Sequence, residues 1–363
     1  MRTWSSFAPG FTAPAGADRA RAFLREAREA HRAGRIPEAT RAYQAAVASA
    51  TEQDGGAVLA ESLRWLGVLH RRRHELAQAE AMCQRSHDVA VAINDPILQA
   101  EALNAMALVY LERGDWTRAR DYLARALAVG EASAELRGNI EQNLGVMANI
   151  QGDLRAALRH YQSSLEAHRL GNNERGCATA YHNLGMVSAD QRQWREADQY
   201  FQASLDIANT SGDVYLRGLN LLNRTEVYLA QQRFEEARRS VEEALKIFDQ
   251  LGSRDNKAGA YKYLGVLYRE TGNTALAESR FKAAVDLARE AGAALEEAEA
   301  SREMALLYQG LGRSQDALKL LNASHRLFGR LDARVDLIDV SAKMTHLQGV
   351  YLDVVRDWGR SIE

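Results

Sequence analysis

The chain has 363 residues, 46% of them hydrophobic and 26% charged, with a formal net charge of −2. That length exceeds a usual single core and asks for several domains or a repeat array, and the near-neutral charge excludes a general affinity for nucleic acid or an anionic membrane. Two cysteines, Cys83 and Cys177, exclude a disulfide framework and an all-cysteine metal site.

The opening stretch, "MRTWSSFAPGFTAPAGAD", has neither the basic start nor the apolar centre of a signal peptide, so residues 1–18 read as a flexible tail. No apolar run approaches the roughly 20 residues that a membrane span needs, and a cytoplasmic location follows by default. Three of the four prolines (Pro9, Pro14 and Pro37) fall within the first 40 residues. A long Pro-poor, Ala-, Arg- and Glu-rich chain predicts helices almost throughout.

Residues 19–332 repeat. An alanine recurs at Ala39, Ala79, Ala119, Ala157, Ala197, Ala237, Ala277 and Ala317, every 40 residues apart from one step of 38. Seven residues after each stands another small residue (Ala46, Ser86, Ala126, Ser164, Ser204, Ala244, Ala284, Ser324), and between them a mostly large one such as Tyr43, Tyr161, Phe201 or Phe281. Twelve residues before each alanine comes a third small position: Ala27, Gly67, Ala107, Gly145, Gly185, Thr225, Gly265 and Ala305. Spacings of four and seven share one helical face, where small residues let two helices approach and the large one fills the adjoining hole. Gly-Asp at 114–115 and 152–153, Gly-Asn at 272–273 and Gly-Arg at 34–35 and 312–313 separate the halves. Gly ends the first helix in the left-handed conformation, and Asp or Asn caps the second. Each unit is therefore a helical hairpin that must stack on its neighbours to bury its apolar face.

This order of residues, with "LG" followed by Tyr in "YLGVLY", resembles the tetratricopeptide repeat over about residues 20–330, in the longer-helix form of Pins-like adaptors and kinesin light chains. The resemblance implies an all-α, right-handed solenoid of eight hairpins whose first helices line a concave, peptide-binding groove. The Arg-over-Lys bias, 40 to 6, reads as that of a GC-rich bacterial genome rather than of a binding site.

Catalytic constellations with the right context are missing from the sequence: it shows no phosphate-cradling glycine loop ahead of a lysine, no paired-His zinc helix and no nucleophile elbow. His70 and His74, four apart on a helix, have a metal-ligand spacing, but Arg71, Arg72 and Arg73 between them oppose a divalent cation. His87-Asp88 spells a metal-phosphohydrolase dipeptide without further ligands in register. Cys83 occupies a large apolar slot and reads as inert core, whereas Cys177 is expected before a helix and more exposed. No cofactor or metal is expected, and the chain reads as non-enzymatic.

In such hairpins the groove-facing stripe falls six, three and zero residues before the small position and one, four and five after it. The first two hairpins place Arg21, Arg28, His31, Arg32, Arg64, Arg71 and Arg72 there. This basic end suits an acidic partner segment, or else pairs with glutamates such as Glu26, Glu29 and Glu61. The middle carries Asn104, Asn139, Gln142, Asn149 and His182, and two residues before the small position stand Asn143, Asn183 and Asn223. Asn is a poor helix-interior residue, so three at one register need a reason. The resemblance implies that such amides clamp the main chain of an extended peptide; the alternative is an inter-helix bond that fixes packing. Leu219, Leu222 and Leu229, with Lys262 and Tyr263 beyond, then offer an apolar patch for a ligand anchor or for internal packing.

Residues 333–363 close the chain. Leu337, Val340, Met344, Leu347, Tyr351, Val354 and Trp358 follow alternating spacings of three and four, a coiled-coil-like seam widened by Ile338, Val350 and Val355. One face caps the last hairpin, and the other is open to a partner helix or to a homodimer. The ending "WGRSIE" reads as a linker, and the helix resembles the lead-in of HD-GYP cyclic-dinucleotide phosphodiesterases. The expected function is therefore a protein- or peptide-binding scaffold. Its rival is the sensory region of a bacterial signalling protein coupled through the last helix. A response-regulator-phosphatase or peptide-receptor reading ranks third, because no DNA-binding helices precede the array.

Overall fold

Every described element of the computed structural model is an α-helix. The structure describes residues 16–32, 35–52, 54–129, 133–331 and 333–360. Most of the expected tail (residues 1–15), Gly34, the side chain of Arg32 and those of residues 350–363, with Tyr351, Val354 and Trp358 of the seam, lie outside the description.

Eight hairpins follow one another: α1 (Gly16–Arg32) with α2 (Ile36–Ser49), α3 (Gly56–Arg72) with α4 (Leu76–Ala92), and α5 (Pro96–Glu112) with α6 (Trp116–Val129). Next come α7 (Ala134–Ile150) with α8 (Leu154–Leu170), α9 (Glu174–Asp190) with α10 (Trp194–Ser211), and α11 (Val214–Ala230) with α12 (Phe234–Leu251). The last pairs are α13 (Arg254–Glu270) with α14 (Thr274–Ala291) and α15 (Ala294–Gly310) with α16 (Ser314–Arg330), before the single long α17 (Arg334–Arg360). The array divides into two compact bodies between Ile140 and Glu141.

The turns obey the chemistry expected of them. Gly272 has φ 79°, and the Asn273 side chain caps α14 by accepting from the Leu276 amide. Asp153 caps α8 in the same way through the Ala156 amide. Arg192 and Gln232 take the same left-handed turn position, both with φ 58° and without glycine's freedom. His74 does so as well (φ 57°), which corrects the expectation that it shares a helix with His70: α3 ends at Arg72, and His74 lies in the turn. The two imidazoles instead reach separate carboxylates, His70 to Glu75 and His74 to Glu112.

Each hairpin closes on the small position. A Cβ on Gly145 would stand 2.5 Å from the Tyr161 ring, and one on Gly265 2.5 Å from Phe281, so only glycine lets these rings lie flat on the first helix. Cys83 plays the ring's part against Gly67; it is 1% exposed, and burial pushes its thiol up to about 12. The serines at the plus-seven position add a bond of their own. Ser86, Ser204 and Ser324 each donate to a carbonyl of the first helix, at Ala60, Ala178 and Ala298. Cys177 departs from expectation. It lies within the first turn of α9, is 8% exposed and is packed into the core beside Ala180 and Leu184.

The described part of the last helix packs inward. Val340 and Leu347 are buried against α15 and α16 residues with Leu337 and Met344 at the margin, while Ile338 and Val335 stay exposed. Arg302 of α15 pairs with Asp336 and fixes the start of α17 to the array.

Candidate functional site: a concave groove

The candidate site residues fall on both bodies. In the first, the arginines expected to face a ligand reach from one odd-numbered helix to the next. Arg28 of α1 pairs with Glu61 of α3, Arg64 of α3 with Glu101 of α5 (3.0 Å), and Arg71 of α3 with Glu112 of α5 (3.1 Å). Arg64 also stacks its guanidinium over Trp65. These arginines thus form an ion-pair ladder between hairpins, the packing role weighed against ligand binding, although only Glu61 was among the partners foreseen. Asn104 is half-buried on α5 in this body.

In the second body α9, α11, α13 and α15 touch one another as well as their own hairpin partners, which puts them on an inner, concave face. They line a cavity of about 720 Å³, joined by Trp194 and Phe201 from α10 and by Asp336 at the start of α17. His182, Leu222, Asn223 and Lys262 are brought together in its wall. Gln142 and Asn143 are half-buried on α7, and Asn183 is half-buried on α9 outside that wall. Of the three asparagines at this register, Asn223 lines this cavity, and Asn143 and Asn183 are not among its lining residues.

His182 and Asn223 are held by Asn220, which is fully buried and stands outside the groove registers. The Asn220 amide nitrogen donates to Ser204 Oγ (2.8 Å) and to the Leu216 carbonyl (2.9 Å), leaving its oxygen to accept from His182 Nδ1 at 3.0 Å. That bond sets the tautomer, so Nε2 is the acceptor and faces Asn223 Nδ2 at 3.5 Å. Burial holds the imidazole below its ordinary pKa despite the Asn220 bond, and the ring is neutral at pH 7.

Acidic groups dominate the rest of the wall. Eight carboxylates (Asp190, Glu226, Asp255, Glu270, Glu296, Glu299, Glu303 and Asp336) face two cations, Lys262 and Arg302. Both cations are already engaged, Lys262 with Glu299 and Arg302 with Asp336. Desolvation works against the Lys262 charge, but Glu299 beside it more than offsets this and raises its pKa. Tyr263 donates to Glu226 at 2.8 Å, and burial together with the Glu226 and Glu299 charges raises its phenol well above the usual value. Desolvation by the groove walls, then the like charges of Glu226, Asp336 and Glu299, push Asp190 up to about 7. Part of that side chain stays exposed, and water reaching it moderates the push. Desolvation raises Glu296 as well. Between these groups Met186, Leu219, Leu229 and Val266 give apolar wall.

The signal for the acids was present. Glu226 stands one residue after a small position, Asp190 five after and Glu299 six before, all groove registers. Register alone does not single them out, because carboxylates at helical spacing equally fit a solvated face. Asp336 lies beyond the repeat, where no register applies. Among the described residues no three His, Cys, Asp or Glu side chains converge closely enough to hold a metal ion, and no helix is long and apolar enough to cross a membrane.

The sequence profile of the tetratricopeptide repeat matches residues 58–132, 136–210 and 216–290, more than half of the chain. The chain belongs to the tetratricopeptide repeat family. A curated relative of this tetratricopeptide array, transcriptional activator NprA of Geobacillus stearothermophilus, is 23% identical over 167 residues; the match covers 46% of this chain and 40% of NprA, less than half of either. Among solved structures, the apo form of RapI superposes with a TM-score of 0.64 at 19% identity, over 75% of this chain and 98% of RapI. A Rap protein complexed with competence and sporulation factor gives 0.53 at 15% identity, over 93% and 99%. At these identities the likeness is one of fold.

Proposed function

We propose that this repeat scaffold binds an extended segment of a partner protein or peptide in the concave groove of its second body, without itself catalysing a reaction, and that it works in the cytoplasm. The observation that carries the reading is the 720 Å³ cavity on the inner face of α9, α11, α13 and α15, with Asn223 and the neutral His182 in its wall. Cavities of this size that mix apolar wall with a few oriented polar groups are where ligands bind. An amide offers both donor and acceptor to a bare peptide backbone. A Rap protein of similar fold was crystallised in complex with competence and sporulation factor, which supports the reading that this array binds a partner.

The test is a groove block. Met186 is exposed and lines the cavity, so Met186→Trp fills the groove without touching the core. Partners captured by the native protein are expected to be lost from Met186→Trp and weakened by Asn223→Ala, with both variants melting as the native protein does. Unchanged capture by both overturns the reading.

The regulatory reading has one observation in its favour. Asp336 belongs to both the groove wall and α17, so groove occupancy would reach the helix that packs on the last hairpin. Slower amide exchange along α17 on ligand binding is the outcome it requires.

A further inference from the structure

The groove's charge and apolar pattern together identify its occupant. We propose that the segment bound in the second body is basic: an extended peptide of several residues carrying at least two Lys or Arg side chains. This rests on the groove-binding reading above and adds the chemistry of the partner, in contrast to the acidic segment that the first hairpins suggested.

Four carboxylates of the wall, Asp190, Glu226, Asp255 and Glu296, form no ion pair among the described residues, whereas the two cations of the wall are neutralised inside the protein. The field left over in the groove is therefore negative, in full once Asp190 has released its proton above about pH 7, and an acidic segment entering it meets like charge with no free cation to receive it. A metal ion does not answer the pattern, because the carboxylates are spread over α9, α11, α13, α15 and α17 and no three converge. What fits is a row of separated positive charges. Met186, Leu219, Leu229 and Val266 share the wall with the acids, and this mixture suits Lys and Arg, whose aliphatic stems pack on apolar wall while their heads reach carboxylates. With neighbouring helices about 10 Å apart, the inner face from α9 to α15 spans about 30 Å, the reach of roughly nine extended residues.

The experiment captures a fully randomised nonapeptide library on the full-length protein and sequences what is retained. Three proteins are compared: native, Met186→Trp, and the triple variant Asp190→Asn, Glu226→Gln, Glu296→Gln, which removes charge but breaks no ion pair. The native protein is expected to enrich Lys and Arg and deplete Asp and Glu. Individual basic hits are expected to lose about tenfold or more in affinity on the triple variant, which should melt no lower than the native protein, and to weaken with added salt. Retained peptides without basic bias, or an empty retained pool, overturn the proposal. If neutral or acidic peptides are retained and Met186→Trp releases them, the groove reading stands and only the charge assignment fails. If basic peptides bind all three proteins alike, they bind outside the groove, and both fail. Spermidine, a small polycation without a peptide backbone, is the competitor; if it binds with the same carboxylate dependence while no peptide does, the peptide assignment is overturned.

Discussion

The ring of Phe201 covers Gly185 so closely that a Cβ at that position would lie 2.6 Å from ring carbons. Phe201 is fully buried, so an added methyl must push the ring out of its packed position. Gly185→Ala is therefore expected to lower stability by about 1–3 kcal/mol, the usual cost of overpacking a closed core. In urea melts, Gly185→Ala combined with Phe201→Leu should recover part of that loss, because the smaller side chain makes room for the methyl. A loss that simply adds in the double variant would show that the two residues are not in contact.

Lys262 and Glu299 tie α13 to α15 across the groove wall, at 13% and 26% side-chain exposure. Lys262→Met leaves the Glu299 carboxylate in a desolvated site without its partner. We expect a loss of about 1–3 kcal/mol, below that of a fully buried pair because some water reaches the site. Replacing both residues by Met should restore most of it. The readout is a double-mutant cycle in thermal melts, and a zero coupling energy would contradict the pairing.

Asp190 carries a pH dependence of definite sign. Its carboxyl stands at about 7 in the folded chain against an ordinary 3.8, with Glu226 of α11, Glu299 of α15 and Asp336 of α17 as the charges that face it. Below about pH 4 both states hold the proton. Between about pH 4 and 7 the folded state keeps a proton that the unfolded chain has released, so stability falls as the pH rises through that window. Asp190→Asn should melt like the native protein near pH 4 and above it at pH 8. The same difference at both pH values would mean that Asp190 titrates normally.

Both cysteines should resist thiol reagents. Burial raises the Cys83 and Cys177 thiols, and neither residue is more than 8% exposed. Ellman's reagent at pH 8 is expected to find no reactive thiol in the folded protein and two in urea. A rapid one-thiol reaction would instead restore the exposed Cys177 expected from the sequence.

The hairpin array was legible because its contacts are local and repeat. Gly185 meets Phe201 within one unit, Gly145 and Gly265 meet their own rings at the same spacing, and each pair imposes a residue type that recurs in register. The turn caps at Asp153 and Asn273 were readable for the same reason, since a cap needs only its own few residues. Of the candidate site, the sequence places residues on faces but not in contact with a partner. His182, Leu222, Asn223 and Lys262 do line the groove, but Arg64 and Arg71 are held by Glu101 and Glu112 from the next hairpin. A single sequence states which side chains share a face; it does not state which charges on neighbouring units meet. Only the stacking of hairpins, each slightly rotated on the last, decides that Asp190 of α9 and Asp336 of α17 face one cavity and that the cations there are already bound. The charge of the groove is a sum over helices far apart in the chain, and it exists only once they are packed.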